Sequence, residues 1–305
     1  MEDRSGDPVV VVSDLTRSFG RKKALDNVSL TVDRGRVLGL VGENGAGKTT
    51  LVKHLLGALK AKAGTVRVFG IDPVTDPPAV LSRIGYLSED RDLPMWMRVG
   101  EFMRYTQAFF PDWDERYAQH LRERFELPAD AKIRQLSRGE KAKTGLLVAL
   151  AHRPDLLLLD EPSSGLDPAA RRHILGAVVR SVAEEGRTVV FSSHLLDEVE
   201  RVADDVTMLH EGKAVLQSSM EEIRERHHRF VVRFEVAQHA FPAVDGVIHA
   251  EGEGAEWVAI CRGDAGVLKS AIQAAGGRIV EEGSPSLDAI FLARVTAGKT
   301  AFIGV

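Results

Sequence analysis

The sequence has few cysteines and no strong excess of charge. Cys261 is the one cysteine among 305 residues, so an intramolecular disulfide is excluded, which fits a reducing compartment. We expect this thiol to be a small buried apolar side chain. The formal net charge is −4, so the composition lacks the basic excess expected of a protein that binds nucleic acid or coats a membrane.

The sequence also lacks long apolar runs. No stretch approaches the ~18 residues of a membrane-spanning helix. The N-terminal stretch MEDRSGDPVVVVSDL is acidic and lacks the charged-then-apolar layout of a signal peptide. We therefore expect a cytoplasmic protein, for which another chain would supply the spans if it works at a membrane. Hydrophobic residues make up 44% and charged residues 28%, which is enough apolar material for one large domain, or one plus a smaller one.

One stretch carries recognisable chemistry. Residues 40–51 read LVGENGAGKTTL, in which Gly42, Gly47, Lys48 and Thr49 fit the phosphate-binding pattern G-x-x-x-x-G-K-[ST]. The apolar run before it predicts a buried strand, and the helically spaced apolar residues after it predict a helix, as the motif requires. The glycines allow successive N–H groups to point at the β- and γ-phosphates of a nucleotide. We expect Lys48 to reach those phosphates and the Thr49 hydroxyl to ligate Mg²⁺.

An acidic pair follows a second apolar run. Leu156–Leu159 is apolar at every position, which is typical of a central strand in a parallel sheet. Asp160, directly after it, is placed to hold Mg²⁺, and Glu161 to polarise a water in line with the γ-phosphate. The alternative is an ordinary solvated loop, which Lys48 and Thr49 upstream make the weaker interpretation.

Strands that alternate with helices predict an α/β fold with a mostly parallel sheet. At the N-terminus we expect a strand at Val9–Val12, a turn over Asp14–Gly20 and a pair of strands within Ala24–Val32. Helical periodicity covers Val99–Leu127 and Pro168–Ala183.

Two regions have no assigned chemistry. Methionine and aromatic side chains cluster near residue 100, where helix core and an exposed partner site are equally compatible with the pattern. They are Met95, Trp96, Met97, Phe102, Met103 and Tyr105. The composition then shifts near Ser218, where Ser219 and Glu222 form the pattern of a capping box, and the tail predicts a small α+β unit.

The ordered set of motifs resembles the nucleotide-binding subunit of an ABC transporter. The matching segments are Phe19, GENGAGKTT at Gly42–Thr50, IGYLSED at Ile84–Asp90, LSRGE at Leu136–Glu140, LLLLDEPSSGLD at Leu156–Asp167, and SSH ending at His194. The resemblance implies a P-loop NTPase core at residues 1–217, with an N-terminal antiparallel β subdomain and an inserted helical subdomain at about 92–151. It also implies an accessory α+β domain at residues 218–305.

The resemblance implies ATP and Mg²⁺ as cofactors and a role for each matching residue. Phe19, which by itself suits a core position better, is implied to stack on adenine. Glu161 is implied to be the general base, and His194 the switch residue that contacts the γ-phosphate. The implied phosphate-loop contacts are Gly42, Glu43, Asn44, Gly45, Ala46, Gly47, Lys48, Thr49 and Thr50. The implied metal ligands are Thr49, Asp160 and Glu89. The implied contacts to ATP bound on a second, head-to-tail subunit are Ser137, Gly139 and Asp167.

Three positions depart from the family pattern. Arg138 replaces a glycine, and Glu140 and Glu89 replace glutamines. Glu89 is compatible with a metal ligand and equally with a link to the permease. The departures, together with the tail, resemble a bacterial branch that pairs with a separate ABC-2-type permease, commonly an exporter.

The resemblance therefore implies a cytoplasmic ATPase, peripheral at the inner face of the cell membrane. It is expected to form a homodimer on MgATP and to drive an integral-membrane permease, for export, without a nucleic-acid partner. One alternative is a soluble ABC-type ATPase that acts as a switch in DNA repair or translation, although long coiled coils and a second ATPase half are missing from the sequence. Another is a binding module whose ATPase site only regulates assembly. The transported substrate does not follow, because its contacts would lie in the permease.

Overall fold

The computed structural model describes residues 8–89, 92–167, 171, 175–176, 179 and 185–300, with side chains as far as residue 296. The chain divides into two compact units, Met1–Gln217 and Ser218–Val305. No helix of the described residues is long and apolar enough to cross a membrane. The elements as far as the end of the first unit are β1 (Val10–Phe19), β2 (Lys22–Val32), β3 (Val37–Val41), α1 (Lys48–Leu55), β4 (Ala63–Val68), α2 (Pro77–Leu81), β5 (Ile84–Leu87), α3 (Val99–Gln107), α4 (Glu115–Arg124), a 3₁₀ turn (Ile133–Gln135), α5 (Arg138–Leu150), β6 (Leu156–Leu159), β7 (Thr188–Ser193), α6 (Leu196–Val202), β8 (Asp205–His210) and β9 (Lys213–Ser219).

An antiparallel sheet with the strand order β2-β1-β4 lies at the N-terminal end of the first unit. The turn predicted over Asp14–Gly20 is wrong, because β1 continues to Phe19 and pairs with a single continuous β2. The pairing shifts register after Val12, and Asp14 adopts a positive φ of 51°. A bulge places an extra residue in a paired strand and interrupts the alternation of apolar and polar residues. The strand is therefore not recognised from that alternation. The antiparallel subdomain itself is confirmed.

The central sheet has the order β5-β6-β7-β3-β8-β9, and the pairs from β5 through β8 are parallel. Every residue of β3 and β6 is buried, as expected for strands covered on both faces. This confirms the α/β class. The register pairs Val41 with Ser193 and Leu159 with Phe191, so the carboxyl ends of β3, β7 and β6 lie side by side. In parallel sheets this edge is where ligands bind.

The helical region between residues 92 and 151 separates the methionine and aromatic cluster into two sets. Met97 and Met103 are buried, whereas Trp96 is 73% exposed and Tyr105 52% exposed. The helix-core interpretation is therefore confirmed for Met97 and Met103, whereas Trp96 and Tyr105 are exposed and the partner site stays a prediction for them. The helix predicted over Pro168–Ala183 lies largely outside the described residues, as does Asp90 of the IGYLSED segment.

The second unit is a small α+β fold, as expected. Its elements are α7 (Met220–Arg226), β10 (His227–Gln238), β11 (Val247–Arg262), α8 (Ala265–Ala274), β12 (Gly277–Gly283) and α9 (Leu287–Thr300). The antiparallel sheet has the order β11-β10-β12, and its core includes Phe230 and Trp257. The Ser219 hydroxyl caps α7 by accepting from the Glu222 N–H, but the Glu222 carboxylate accepts from Ser218 instead of closing a capping box.

Cys261 lies in the core of the second unit, as predicted. Its side chain is fully buried, and burial raises the pKa of the thiol to about 12. Because the thiolate is the reactive form, we expect the native protein at pH 8 to resist a thiol-specific reagent and the urea-unfolded protein to react fully. Mass spectrometry of the labelled protein measures this, with Cys261→Ala as the background. Labelling of the native chain at the rate of the unfolded chain would contradict the buried position.

Candidate functional site

The phosphate loop connects the carboxyl end of β3 to the first turn of α1. A Cβ on Gly42 would lie 2.3 Å from the carbonyl oxygen of Leu209, and one on Gly47 would lie 2.4 Å from that of Ala24. Gly47 also has a φ of 113°, which disfavours other residues. Only glycine therefore fits both positions. The loop places the N-terminus of α1, with its unpaired N–H groups, at the edge of the sheet where anions bind.

A pocket of about 380 Å³ lies beside this loop. Its wall is formed by Phe19, Lys22, Ala24, Asn44, Gly45, Gly47, Lys48, Thr49, Thr50, Glu89 and Glu161. The structure thus brings six of the nine predicted loop residues together with the aromatic ring and the proposed base, whereas Gly42, Glu43 and Ala46 do not line this pocket. Phe19 is 49% exposed, and the guanidinium carbon of Arg17 lies 4.8 Å from its ring centroid, in a cation–π contact.

Lys48 and Glu161 form a buried ion pair at one end of the pocket. The Lys48 Nζ lies 3.0 Å from Glu161 Oε1, and both side chains are about 5% exposed or less. Lys48 also donates to the carbonyl oxygens of Gly42, at 2.6 Å, and Glu43, at 3.3 Å. A phosphate group that approaches the loop therefore competes with Glu161 for the same ammonium group.

Glu161 is held from its other side by residues of β7 and the following loop. Its backbone N–H donates to the Ser192 hydroxyl at 2.9 Å, and its φ of 47° is in the left-handed region. The Nδ1–H of His194 donates to Glu161 Oε2 at 2.7 Å, and the imidazole remains 41% exposed. Glu161 therefore lies between a lysine and a histidine that the sequence predicts for the same site.

Asp160 has an oxygen that suits a metal ion. Its Oδ1 accepts from the Ser192 hydroxyl at 2.6 Å, while its buried Oδ2 has no hydrogen-bond partner among the described residues. Thr49, Glu89 and Asp160 line a second pocket, of about 440 Å³. The described part of the chain has no cluster of three acidic, histidine or cysteine residues that would bind a metal alone. Oxygen ligands from one or two residues plus phosphates are nevertheless the set that Mg²⁺ prefers, so these residues fit it.

Three serines that were not predicted as site residues hold the acidic residues near the carboxyl ends of β6 and β7 in place. Ser192 joins Asp160 to the backbone of Glu161, as described above. Behind it, the hydroxyls of Ser163 and Ser193 both donate to the buried carboxylate of Glu198, at 2.9 and 2.7 Å. The sequence offered a signal for the position of Ser192 but not for its bond to Asp160: Ser192 follows the apolar residues of β7, as Asp160 follows those of β6, so both lie at the same edge of the sheet.

Ser137, Gly139 and Asp167 do not line either of these pockets. Ser137 caps α5, and its hydroxyl donates to Glu140 Oε2 at 2.6 Å. Hydrogen bonds from Ser137 lower the pKa of Glu140. The side chain of Arg138 lies near the backbone of the loop that leads to Asp167, so these residues share one partly exposed surface.

Comparisons with known proteins give a consistent result. Residues 25–164 match the family described as ABC transporter. The chain is 35% identical over 221 residues to the uncharacterized ABC transporter ATP-binding protein MJ1023 of Methanocaldococcus jannaschii, covering 71% of this chain and 79% of that protein. It is 35% identical over 224 residues to the daunorubicin resistance ATP-binding protein DrrA3 of Streptomyces coeruleorubidus, covering 72% and 70%. The fold matches the dimeric, ADP- and phosphate-bound ATP-binding cassette MJ0796 with a TM-score of 0.62 and 22% identity, over 69% of this chain and 98% of that one.

Proposed function

The chain belongs to the family of ABC transporter ATP-binding proteins, and we propose that it hydrolyses ATP to drive a separate membrane permease. The observation that carries the proposal is the meeting of Lys48, Glu161 and His194 beside the phosphate loop. A cation that binds phosphate and a carboxylate that orients water, both at the positive end of a helix, are recurring parts of sites for phosphoryl transfer, and the imidazole holds the carboxylate.

In this proposal the phosphate loop and Lys48 bind the β- and γ-phosphates of ATP, and Phe19 stacks on the adenine. Thr49 and Asp160 would hold Mg²⁺, which would neutralise charge on the phosphates. Glu89 lines the pocket with both of them and is a third metal ligand or a link to the permease.

Hydrolysis in this proposal depends on a change of partner for Lys48. When phosphate takes the ammonium group, Glu161 Oε1 loses its cation and becomes free to accept a proton from the attacking water. Ser192 holds the backbone of Glu161 in place, and His194 contacts the γ-phosphate while holding Oε2. The acid that restrains the lysine before binding thus serves as the base after it.

A second copy of the chain completes the site in this proposal. Ser137, Gly139 and Asp167 lie on a partly exposed surface and do not line the ATP pocket of their own chain. The dimer known for MJ0796 is a precedent within this fold. Two ATP molecules would lie between two head-to-tail subunits, each gripped by Ser137 and Gly139 of the opposite copy.

The permease partner is proposed to dock on the helical region. Trp96, Tyr105 and Phe109 are 73%, 52% and 63% exposed there, an unusual concentration of aromatic surface. The name of DrrA3 refers to daunorubicin resistance, which favours export as the direction. The protein would then be cytoplasmic and peripheral at the inner face of the cell membrane.

Trp96→Glu is expected to abolish recovery of an integral-membrane protein with the tagged chain from detergent-solubilised membranes. The substitution places a charge in an apolar interface, where its desolvation is unfavourable. Val267→Glu is the matched control, because Val267 is 68% exposed in the second unit. Equal recovery with Trp96→Glu would contradict this docking surface. Recovery of the wild-type chain with ribosomes or DNA would instead support the soluble-switch alternative.

A further inference from the structure

The pocket beside the phosphate loop contains a second lysine that none of the motifs includes. Lys22 lines this pocket together with Lys48. A Cβ built on Gly45 would lie 3.4 Å from the Lys22 Nζ, so the ammonium group lies against the phosphate loop itself. The pocket therefore has two lysine side chains against the phosphate loop.

The hairpin between β1 and β2 explains the position of Lys22. Phe19 and Lys22 are directly paired across the two strands, and only Gly20 and Arg21 form the turn between them. Opposed residues of an antiparallel pair project from the same face, with Cβ atoms about 5 Å apart. Phe19 and Lys22 therefore project together, and both line the pocket.

The neighbouring Lys23 has a different environment. It pairs with Ser18 and, as the next residue along β2, projects from the opposite face. Its Nζ lies 3.0 Å from Asp26 Oδ1. Lys22, in contrast, has no carboxylate within ion-pair distance in the part of the chain that the structure describes, whereas Lys48 is paired with Glu161. Lys22 is thus a cation at the phosphate loop to which the described residues supply no counter-ion.

We propose that Lys22 binds the phosphate chain of the nucleotide, so that one hairpin presents both an aromatic ring for the base and an ammonium group for the phosphates. The inference rests on the proposed function, because it takes the ligand to be ATP. Lys22 would then help to determine the affinity for nucleoside polyphosphates. Their negative charge would supply the partner for its ammonium group. It also gives the ligand a first cationic contact that does not require the Lys48–Glu161 pair to open.

The test compares the ATP dissociation constants of Lys22→Met, Lys22→Arg, Lys23→Met and the wild type by calorimetry at 0.05 M and 0.5 M salt. Lys22→Met is expected to bind ATP about tenfold more weakly at low salt, which corresponds to one charge-assisted contact. The difference should shrink several-fold at high salt, because exposed charges are screened over a few ångströms there. Lys22→Arg keeps the charge and should stay within threefold of the wild type, and Lys23→Met should match it.

Two results would overturn the inference. One is an unchanged dissociation constant for Lys22→Met. The other is a loss of equal size at both salt concentrations, which would show a change of pocket shape and not of charge. Melting curves check that the exposed Lys22 can be replaced without unfolding. If the wild-type chain does not bind ATP, the proposed function itself is wrong. That result differs from equal ATP binding by the wild type and Lys22→Met, which would overturn only the role of Lys22.

Discussion

Glu161→Gln is expected to lower ATP turnover by a factor of about 10² to 10⁴, the usual contribution of a general base, while ATP still binds. The amide keeps the size and shape of the carboxylate but cannot accept the proton of the attacking water. It also no longer pairs with Lys48, so the ammonium group becomes more available to phosphate. Binding should therefore be as tight as in the parent or tighter.

Phosphate release under saturating MgATP measures turnover, and equilibrium binding of ATP is measured in parallel. Glu123→Gln is the control, because Glu123 is 70% exposed on α4 and distant from the phosphate loop in the sequence. If Glu161→Gln releases phosphate at the parent rate, the general-base assignment is wrong. If it loses ATP binding instead, Glu161 has a structural role at the loop.

Lys48→Ala is expected to weaken ATP binding by about 10² or more. The substitution removes a buried ammonium group that bonds to the phosphate loop, together with its charge-assisted hydrogen bonds. It also leaves Glu161 as a buried carboxylate without its cation, which typically costs about 3 kcal/mol or more of folding free energy. Loss of binding and loss of stability must therefore be separated.

The double variant Lys48→Ala/Glu161→Gln separates them. It removes both members of the buried pair, so its melting temperature should recover relative to Lys48→Ala, while its ATP affinity should remain low. Calorimetric titration with ATP and thermal unfolding are measured on both variants, with the exposed Lys62→Ala as control. ATP binding at the parent affinity by the double variant would rule out the phosphate-loop interpretation.

Much of the fold and of the phosphate-binding site can be predicted from the sequence, because it depends on residues close together in the chain. The phosphate loop depends on glycines at fixed spacing, and the buried strands β3 and β6 are apolar at every position. In a parallel sheet, Asp160 and His194 must then arrive at the same edge, whatever the lengths of the connections between strands. Pattern and topology together were sufficient for the α/β class and for the residues at this edge.

The remaining features depend on contacts between distant parts of the chain. The extension of β1 to Phe19 relies on bulges that only the pairing with β2 reveals. The bond from Ser192 to Asp160 joins residues 32 positions apart, and no spacing rule predicts it. The ion pair of Lys48 with Glu161 likewise joins two motifs that were each expected to face the nucleotide, so their mutual contact was not anticipated.

In the proposed dimer, each chain supplies half of two shared ATP sites. The most direct test is the molar mass of Glu161→Gln by light scattering, with and without MgATP. We expect a monomer without nucleotide, a dimer with MgATP, and a monomer again when Ser137→Ala is added to Glu161→Gln. A variant that binds one ATP per chain yet stays monomeric at saturating MgATP would contradict it.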